Sequence, residues 1–138
     1  MAEKYYFDTS IWLDYFEDRD EPNFPKSKWA MDLVKKIVKN NDKIVYSDNN
    51  MYELFLVGYD AKEIDNLTKD FRPILIFVEA TEKQVRKARD LSLRRDIPKR
   101  DALHALIARD NKAIMVTFDH HYKKLLDIRK PKRTNELI

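Results

Sequence analysis

The sequence predicts a three-layer α/β/α sandwich around a mainly parallel central sheet of four to five strands, and three observations carry that expectation. Short apolar, β-prone runs alternate with longer stretches of helical periodicity, the pattern of parallel strands joined by helices. Residues Ile74 to Val78 form a continuous apolar run, as expected of a strand covered on both faces. The 138 residues are 43% hydrophobic and 37% charged, enough to bury a real core, so 1–138 reads as a single soluble domain.

The elements follow in order. Lys4 to Asp8 is short, aromatic and β-prone, and Thr9-Ser10 can cap a helix running to about Phe16. Asp18 to Pro25 reads as a loop. From Ser27 to about Asn40, Trp29, Ala30, Leu33, Val34, Ile37 and Val38 recur at helical spacing. Lys43 to Ser47 is a second strand, followed by helices from about Asp48 to Tyr59 and from Ala61 to about Phe71. In the latter, Ile64 and Leu67 are expected to point inward and Pro73 to end the helix. After the third strand, Thr81 and Gln84 have the spacing of a capping box opening a helix to about Arg95. Pro98 breaks the chain, Lys99 to Asn111 is helical, and Ala113 to Phe118 is the fourth strand. A short helix near Tyr122 to Leu126 and a weak edge strand near Ile128 complete the pattern.

Composition removes several function classes. The absence of cysteine excludes disulfides, thiolate nucleophiles and Cys-ligated zinc. Five prolines and one glycine rule out collagen-like or linker composition. No run of eighteen apolar residues occurs, so no transmembrane helix and no membrane partner are expected. The N-terminus lacks a basic segment followed by an apolar one, so no export is expected and a cytoplasmic location fits. A net charge of +3 and a pI near 9.0 permit a polyanionic partner.

Four acids stand out by position: Asp8 and Asp119 at the ends of strands, Glu53 inside a helix, and Asp101 in the first turn of another. In a parallel sheet, functional residues gather outside the carboxyl ends of the strands, so Asp8, Glu53 and Asp119 are expected on one edge. Singly, each has an ordinary explanation. Asp8 and Asp119 could cap the helices that follow them, and Asp101 is favoured by the helix dipole. Glu53 is harder to dismiss, because Met51-Tyr52-Glu53-Leu54-Phe55-Leu56-Val57 is apolar nearly all round and a buried lone carboxylate needs a proton or a cation. Asp48 reads as the cap of that helix, and Asp14, Asp60 and Asp65 as solvated or capping residues. Carboxylates gathered in a cleft suit hard divalent cations, and a bound ion can activate water and neutralise charge on a phosphoryl group.

Taken in order, Tyr6-Phe7-Asp8-Thr9-Ser10, Tyr52-Glu53-Leu54, Arg100-Asp101-Ala102-Leu103-His104-Ala105 and Val116-Thr117-Phe118-Asp119 resemble the motifs of PIN-domain ribonucleases of the VapC toxin kind. The resemblance spans most of the chain. It implies an endoribonuclease dependent on Mg²⁺ or Mn²⁺, with Asp8, Glu53, Asp101 and Asp119 as the metal-binding acids. Thr117 would take the place of the family's hydroxyl residue, and the products would carry a 5′-phosphate and a 3′-hydroxyl. It also implies a homodimer and a small antitoxin protein, both meeting the early helices, where Trp12, Tyr15, Phe16, Trp29, Leu33 and Ile37 are interface candidates, with ordinary core packing the favoured reading for most of them. In many members a further acid follows two positions after the last Asp; here that place holds His121, which bears on a second metal position. His120 and His121 are expected at the cleft rim facing solvent, and His104 as a packed core histidine.

An RNA substrate also needs a cationic approach. Lys83, Arg86, Lys87 and Arg94 fall on one face of a helix, and Arg129, Lys130, Lys132 and Arg133 cluster in the tail; both groups are candidate phosphate contacts. Two other readings of the same residues are an RNA-processing or maturation nuclease without an antitoxin, and a catalytically silent domain that binds RNA or protein.

Overall fold

The computed structural model describes residues 2–138. Five parallel strands form one sheet: β1 (Lys4–Phe7), β2 (Lys43–Ser47), β3 (Leu75–Val78), β4 (Ile114–Val116) and β5 (Pro131–Lys132), in the order β3-β2-β1-β4-β5. Seven α-helices connect or follow them: α1 (Thr9–Phe16), α2 (Lys26–Lys39), α3 (Asp48–Leu56), α4 (Ala61–Thr68), α5 (Glu82–Arg95), α6 (Lys99–Asp110) and α7 (Thr134–Leu137). Two 3₁₀ segments, Lys69–Ile74 and His120–Leu125, supplement them.

Alternation along the strands sends neighbouring side chains to opposite faces and so divides the core in two. Tyr6, Val45 and Met115 pack with Ala88, Leu91, Ala105, Leu106, Tyr122 and Leu125 under α5, α6 and the second 3₁₀ segment. Tyr5, Phe7, Ile44 and Val116 pack with Ile11, Trp12, Leu33, Ile37, Leu54 and Ile64 on the other side. The three-layer arrangement and the parallel sheet are as expected from the alternating pattern.

Several local expectations are corrected. β3 is not covered on both faces: it is an edge strand, and Phe77 is 47% exposed. The last strand is Pro131–Lys132, beyond Ile128, and its pairing with β4 is a backbone match that no side-chain pattern announces. Thr68, not Leu67, is the buried partner of Ile64 on α4, and Pro73 sits inside a 3₁₀ turn. Helix α3 stops at Leu56, where Gly58 adopts a φ of +105° that side-chain-bearing residues rarely take. Its N-cap is Ser47, reciprocated by Asn50; the Asp48 carboxylate instead accepts from the Ala80 amide at 2.9 Å. Thr9 and Ser10 do not cap α1, because both side chains turn to carboxylates instead. The Thr81–Gln84 and Asp60–Glu63 capping boxes do form. Asp14 is buried rather than solvated, with Arg19 3.5 Å away, and burial pushes its carboxyl up to about 6.

The connection after β1 leads towards β2, and that after β4 towards β5, so the carboxyl ends of β1 and β4 flank a topological switch point. This is where the candidate acids lie.

Candidate active site

Each acid is delivered by a different piece of local structure. Asp8 follows β1 directly, its amide bonded to the Val116 carbonyl at 3.0 Å, which ties it to the end of β4. Thr117 and Asp119 follow β4, Glu53 projects from α3, and Asp101 lies in the first turn of α6. The four carboxylates line a single groove of about 300 Å³, shared with Ser10, Arg19 and Arg100.

Hydrogen bonds fix the orientation of the acids. The Thr117 hydroxyl donates to Asp8 Oδ2 at 2.8 Å and accepts from the Asp119 backbone amide at 2.9 Å, tying the Asp8 carboxylate to the main chain of Asp119. Ser10 also donates to Asp8 Oδ2, at 3.2 Å. Glu53 Oε1 receives the Thr9 hydroxyl at 2.8 Å and meets His104 Nε2 at 2.5 Å. His104 is fully buried, as expected, but it is more than packing: its Nδ1 lies 2.5 Å from the Tyr6 hydroxyl, which in turn meets Ser47 at 2.7 Å.

The expectation that Glu53 is a lone carboxylate on a helix apolar all round is corrected by the same contacts. Tyr52 and Phe55 are exposed, so α3 offers solvent an apolar surface, while Leu56 and Val57 share the face of Glu53 and line the acidic groove with it. Replacing His104 with Leu removes the imidazole from the Tyr6 hydroxyl and the Glu53 carboxylate, and is expected to cost about 3 kcal/mol. A urea titration checks this as a lower midpoint with an unchanged slope.

The electrostatics of the groove favour a cation. Burial, then the nearby charges of Glu53 and Asp119, raise the Asp8 carboxyl above its usual range against the opposing His104 imidazole and Thr117 hydroxyl. Burial, then the charges of Asp8 and Asp119, push Asp101 up to about 7. Burial pulls Glu53 upward as well, but the His104 hydrogen bond and charge, the Thr9 hydroxyl and Arg100 outweigh it and leave that carboxyl below its usual range. Asp8 and Asp101 are thus carboxylates whose ionisation is opposed by desolvation and by neighbouring negative charge, a cost that a divalent cation would offset. An all-oxygen donor set of this kind fits Mg²⁺ or Mn²⁺.

His120 and His121 differ. His120 is mostly solvent-facing, but His121 turns inward, correcting the expectation for it, with Nδ1 2.8 Å from Asp119 Oδ1 and 3.2 Å from Asp101 Oδ2. Of the candidate phosphate contacts, Arg94 pairs with Asp90 on its own helix at 3.0 Å, and Arg129 Nε donates to the Ala113 carbonyl at 2.9 Å. Lys83, Arg86 and Lys87 line a surface groove with Arg109 between α5 and α6. Lys130 and Arg133 are exposed, and Lys132 is half-buried in β5.

The sequence reading missed Arg19 and Arg100, the two cations in the acidic groove itself. Arg100 precedes Asp101 and lies over the Tyr52 ring at 4.6 Å. A residue adjoining a motif acid at a helix start offered a signal; Arg19, brought in by the loop after α1, offered none.

A parallel five-stranded sheet in this order, with an acidic groove at its switch point, defines a class of α/β domain with a candidate hard-metal centre. Residues 5–126 match the family model of the PIN domain, and the chain belongs to that family. Its fold is similar to that of a chain in the crystal structure of VapBC2 from Rickettsia felis bound to a DNA fragment from their promoter. There the TM-score is 0.64 and the identity 19%, with 94% of this chain and 98% of that one covered. It is similar also to a chain of a toxin–antitoxin complex from Klebsiella pneumoniae, with a TM-score of 0.65, 14% identity, and coverage of 94% and 97%. No curated protein matches it in sequence. Among the described residues no helix is long and apolar enough to cross a membrane.

Proposed function

We propose that this protein is a divalent-metal-dependent endoribonuclease, acting as the toxin of a type II toxin–antitoxin pair. The observation that carries the reading is the convergence of Asp8, Glu53, Asp101 and Asp119, from four separate segments, on one groove flanked by Arg19 and Arg100. Asp8 and Asp119 would be direct ligands of Mg²⁺ or Mn²⁺, and Glu53 and Asp101 would complete the site directly or through water. Bound there, the cation would supply charge neutralisation at the phosphoryl oxygens and activation of water for attack.

The chain's own residues hold that arrangement. Thr117 holds the Asp8 carboxylate against the backbone of Asp119, and His104 and Thr9 fix Glu53. Arg19 and Arg100 place positive charge beside the acids, where they can take phosphates of a single strand crossing the groove. Tyr52, half exposed beneath Arg100, offers a ring on which a base can stack. Of the helix and tail cations, Arg133 directly follows β5 at its carboxyl end, whereas Lys83, Arg86 and Lys87 lie with Arg109 at the end of α6 opposite Asp101.

Partner surfaces support the toxin assignment. Phe55 and Phe77 are exposed together in a shallow apolar depression, and a groove of about 330 Å³ is lined by Trp12, Phe16, Met51, Leu54 and Ile64 among others. Patches of this kind mark protein contacts. A second copy of the chain and a small antitoxin are the proposed occupants, in keeping with the complexes in which the two similar chains occur.

Cleavage of defined tRNA and rRNA fragments with and without Mg²⁺ or Mn²⁺ tests the activity; growth arrest relieved by a small protein encoded just upstream tests the toxin role. In EDTA, where cutting stops, Arg100→Gln is expected to weaken RNA binding and reduce the slope of log affinity against log salt by about 0.7. An unchanged slope in a fluorescence-anisotropy titration would remove Arg100 from the RNA path.

A further inference from the structure

We infer that His121 is a nitrogen ligand of the metal centre, and that it shifts the preference of the centre from Mg²⁺ towards Mn²⁺. The inference rests on the metal-site reading above and adds to it a donor and a selectivity. His121 Nδ1 is shut off from solvent and has no hydrogen-bond partner, although carboxylate oxygens of Asp119 and Asp101 lie only 2.8 and 3.2 Å away. On a side chain 34% exposed, a ring nitrogen that is itself shut off from solvent, within ion-pair distance of two carboxylates and hydrogen-bonded to neither, is explained by an atom between them that all three can share.

The spacing fits such an atom. Adjacent ligands of an octahedral ion with bonds of about 2.1 Å are roughly 3.0 Å apart, which is the separation Nδ1 keeps from both oxygens. The turn that places the ring is fixed locally: the His121 amide donates to Asp119 Oδ1 at 2.9 Å, and the next residue, Tyr122, is fully buried and anchors the turn. Asp119, His120 and His121 each offer a ligand atom within 4.8 Å of the others, but His120 Nδ1 is 3.7 Å from Asp119 Oδ1 and its side chain is 79% exposed. His121 is therefore the inward donor.

An imidazole in place of an oxygen donor changes which ion the site favours. Mg²⁺ takes oxygen ligands and dehydrates reluctantly, whereas Mn²⁺ stands above it in tolerance for nitrogen. The ratio of Mn²⁺ to Mg²⁺ affinity should fall at least tenfold when His121 becomes Asp, which restores an oxygen donor without emptying the position.

The test uses tag-free, RNA-free protein and Mn²⁺ alone. Pulsed electron paramagnetic resonance should show ¹⁴N coupling to the bound ion in the wild type and in His120→Gln, and none in His121→Gln. Calorimetric titration of Mn²⁺ and Mg²⁺ into the wild type and His121→Asp reads the selectivity, with circular dichroism confirming that each variant is folded. Bound Mn²⁺ without nitrogen coupling in the wild type, or with coupling that survives His121→Gln, overturns the assignment of His121 alone. No Mn²⁺ binding at millimolar concentration overturns it together with the metal-site reading.

Discussion

Asp8→Asn is expected to lower the rate of RNA cleavage about a thousandfold while leaving the fold at least as stable as the wild type. The loss follows from removing one charged ligand of the cation that would offset negative charge in the transition state, a contribution of several kcal/mol at about 1.4 kcal/mol per tenfold in rate. Stability should move the other way. Burial and neighbouring carboxylates oppose ionisation of Asp8, and the amide removes that penalty while keeping an oxygen to accept from Thr117 and Ser10. Single-turnover cleavage and a urea titration on the same preparations read both quantities. Retained activity would remove Asp8 from the chemistry, and a large loss of stability would make it a structural residue.

The second large effect is a metal-dependent stability that grows with pH. Asp8 and Asp101 both have carboxyls raised in the folded protein, Asp101 to about 7. A raised acid contributes stability that is fully present below its unfolded value, near 4, and is lost as pH rises through its folded value. Metal-free protein should therefore lose this contribution between about pH 4 and pH 7. A bound cation favours the ionised carboxylates, so it reverses the loss, and its binding releases protons below pH 7. At Mn²⁺ a hundredfold above its Kd the gain is about 2.7 kcal/mol, or roughly 8 °C in Tm for a domain of this size. Melting curves with Mn²⁺ and with EDTA at pH 5.5, 7 and 8 should separate progressively. A separation independent of pH would exclude Asp8 and Asp101 as the groups that the ion neutralises.

The layers and the parallel sheet were legible because strands β1 to β4 are apolar runs and the helices between them keep a 3.6-residue period. β5 was not, because two residues paired only through their backbones leave no trace in side-chain pattern. The placing of β3 at an edge was hidden for a different reason: an apolar run is the same string whether its second face meets a helix or solvent. The same ambiguity misplaced α3, where Leu54 is buried but Tyr52, Phe55 and Leu56 are exposed.

The four acids could be named from strand ends, one helix start and their motifs, but not the groups that orient them. His104 lies three residues after Asp101 and so on a neighbouring face of α6, a signal that was present; its contact with Glu53 depends on how α3 and α6 meet. Arg19 and the inward turn of His121 depend on the path of a loop and a 3₁₀ segment, which local periodicity does not describe.

The central claim, that these carboxylates serve hydrolysis of RNA by a metal-assisted route, is tested most directly with an RNA bearing a single 2′-deoxy substitution at the mapped cleavage site. Metal-assisted attack by water does not use the 2′-hydroxyl, so the substituted strand should still be cut in Mn²⁺, giving a 5′-phosphate and a 3′-hydroxyl, and remain whole in EDTA. Cleavage that stops on removal of that hydroxyl, continues in EDTA, or leaves a 2′,3′-cyclic phosphate would contradict it.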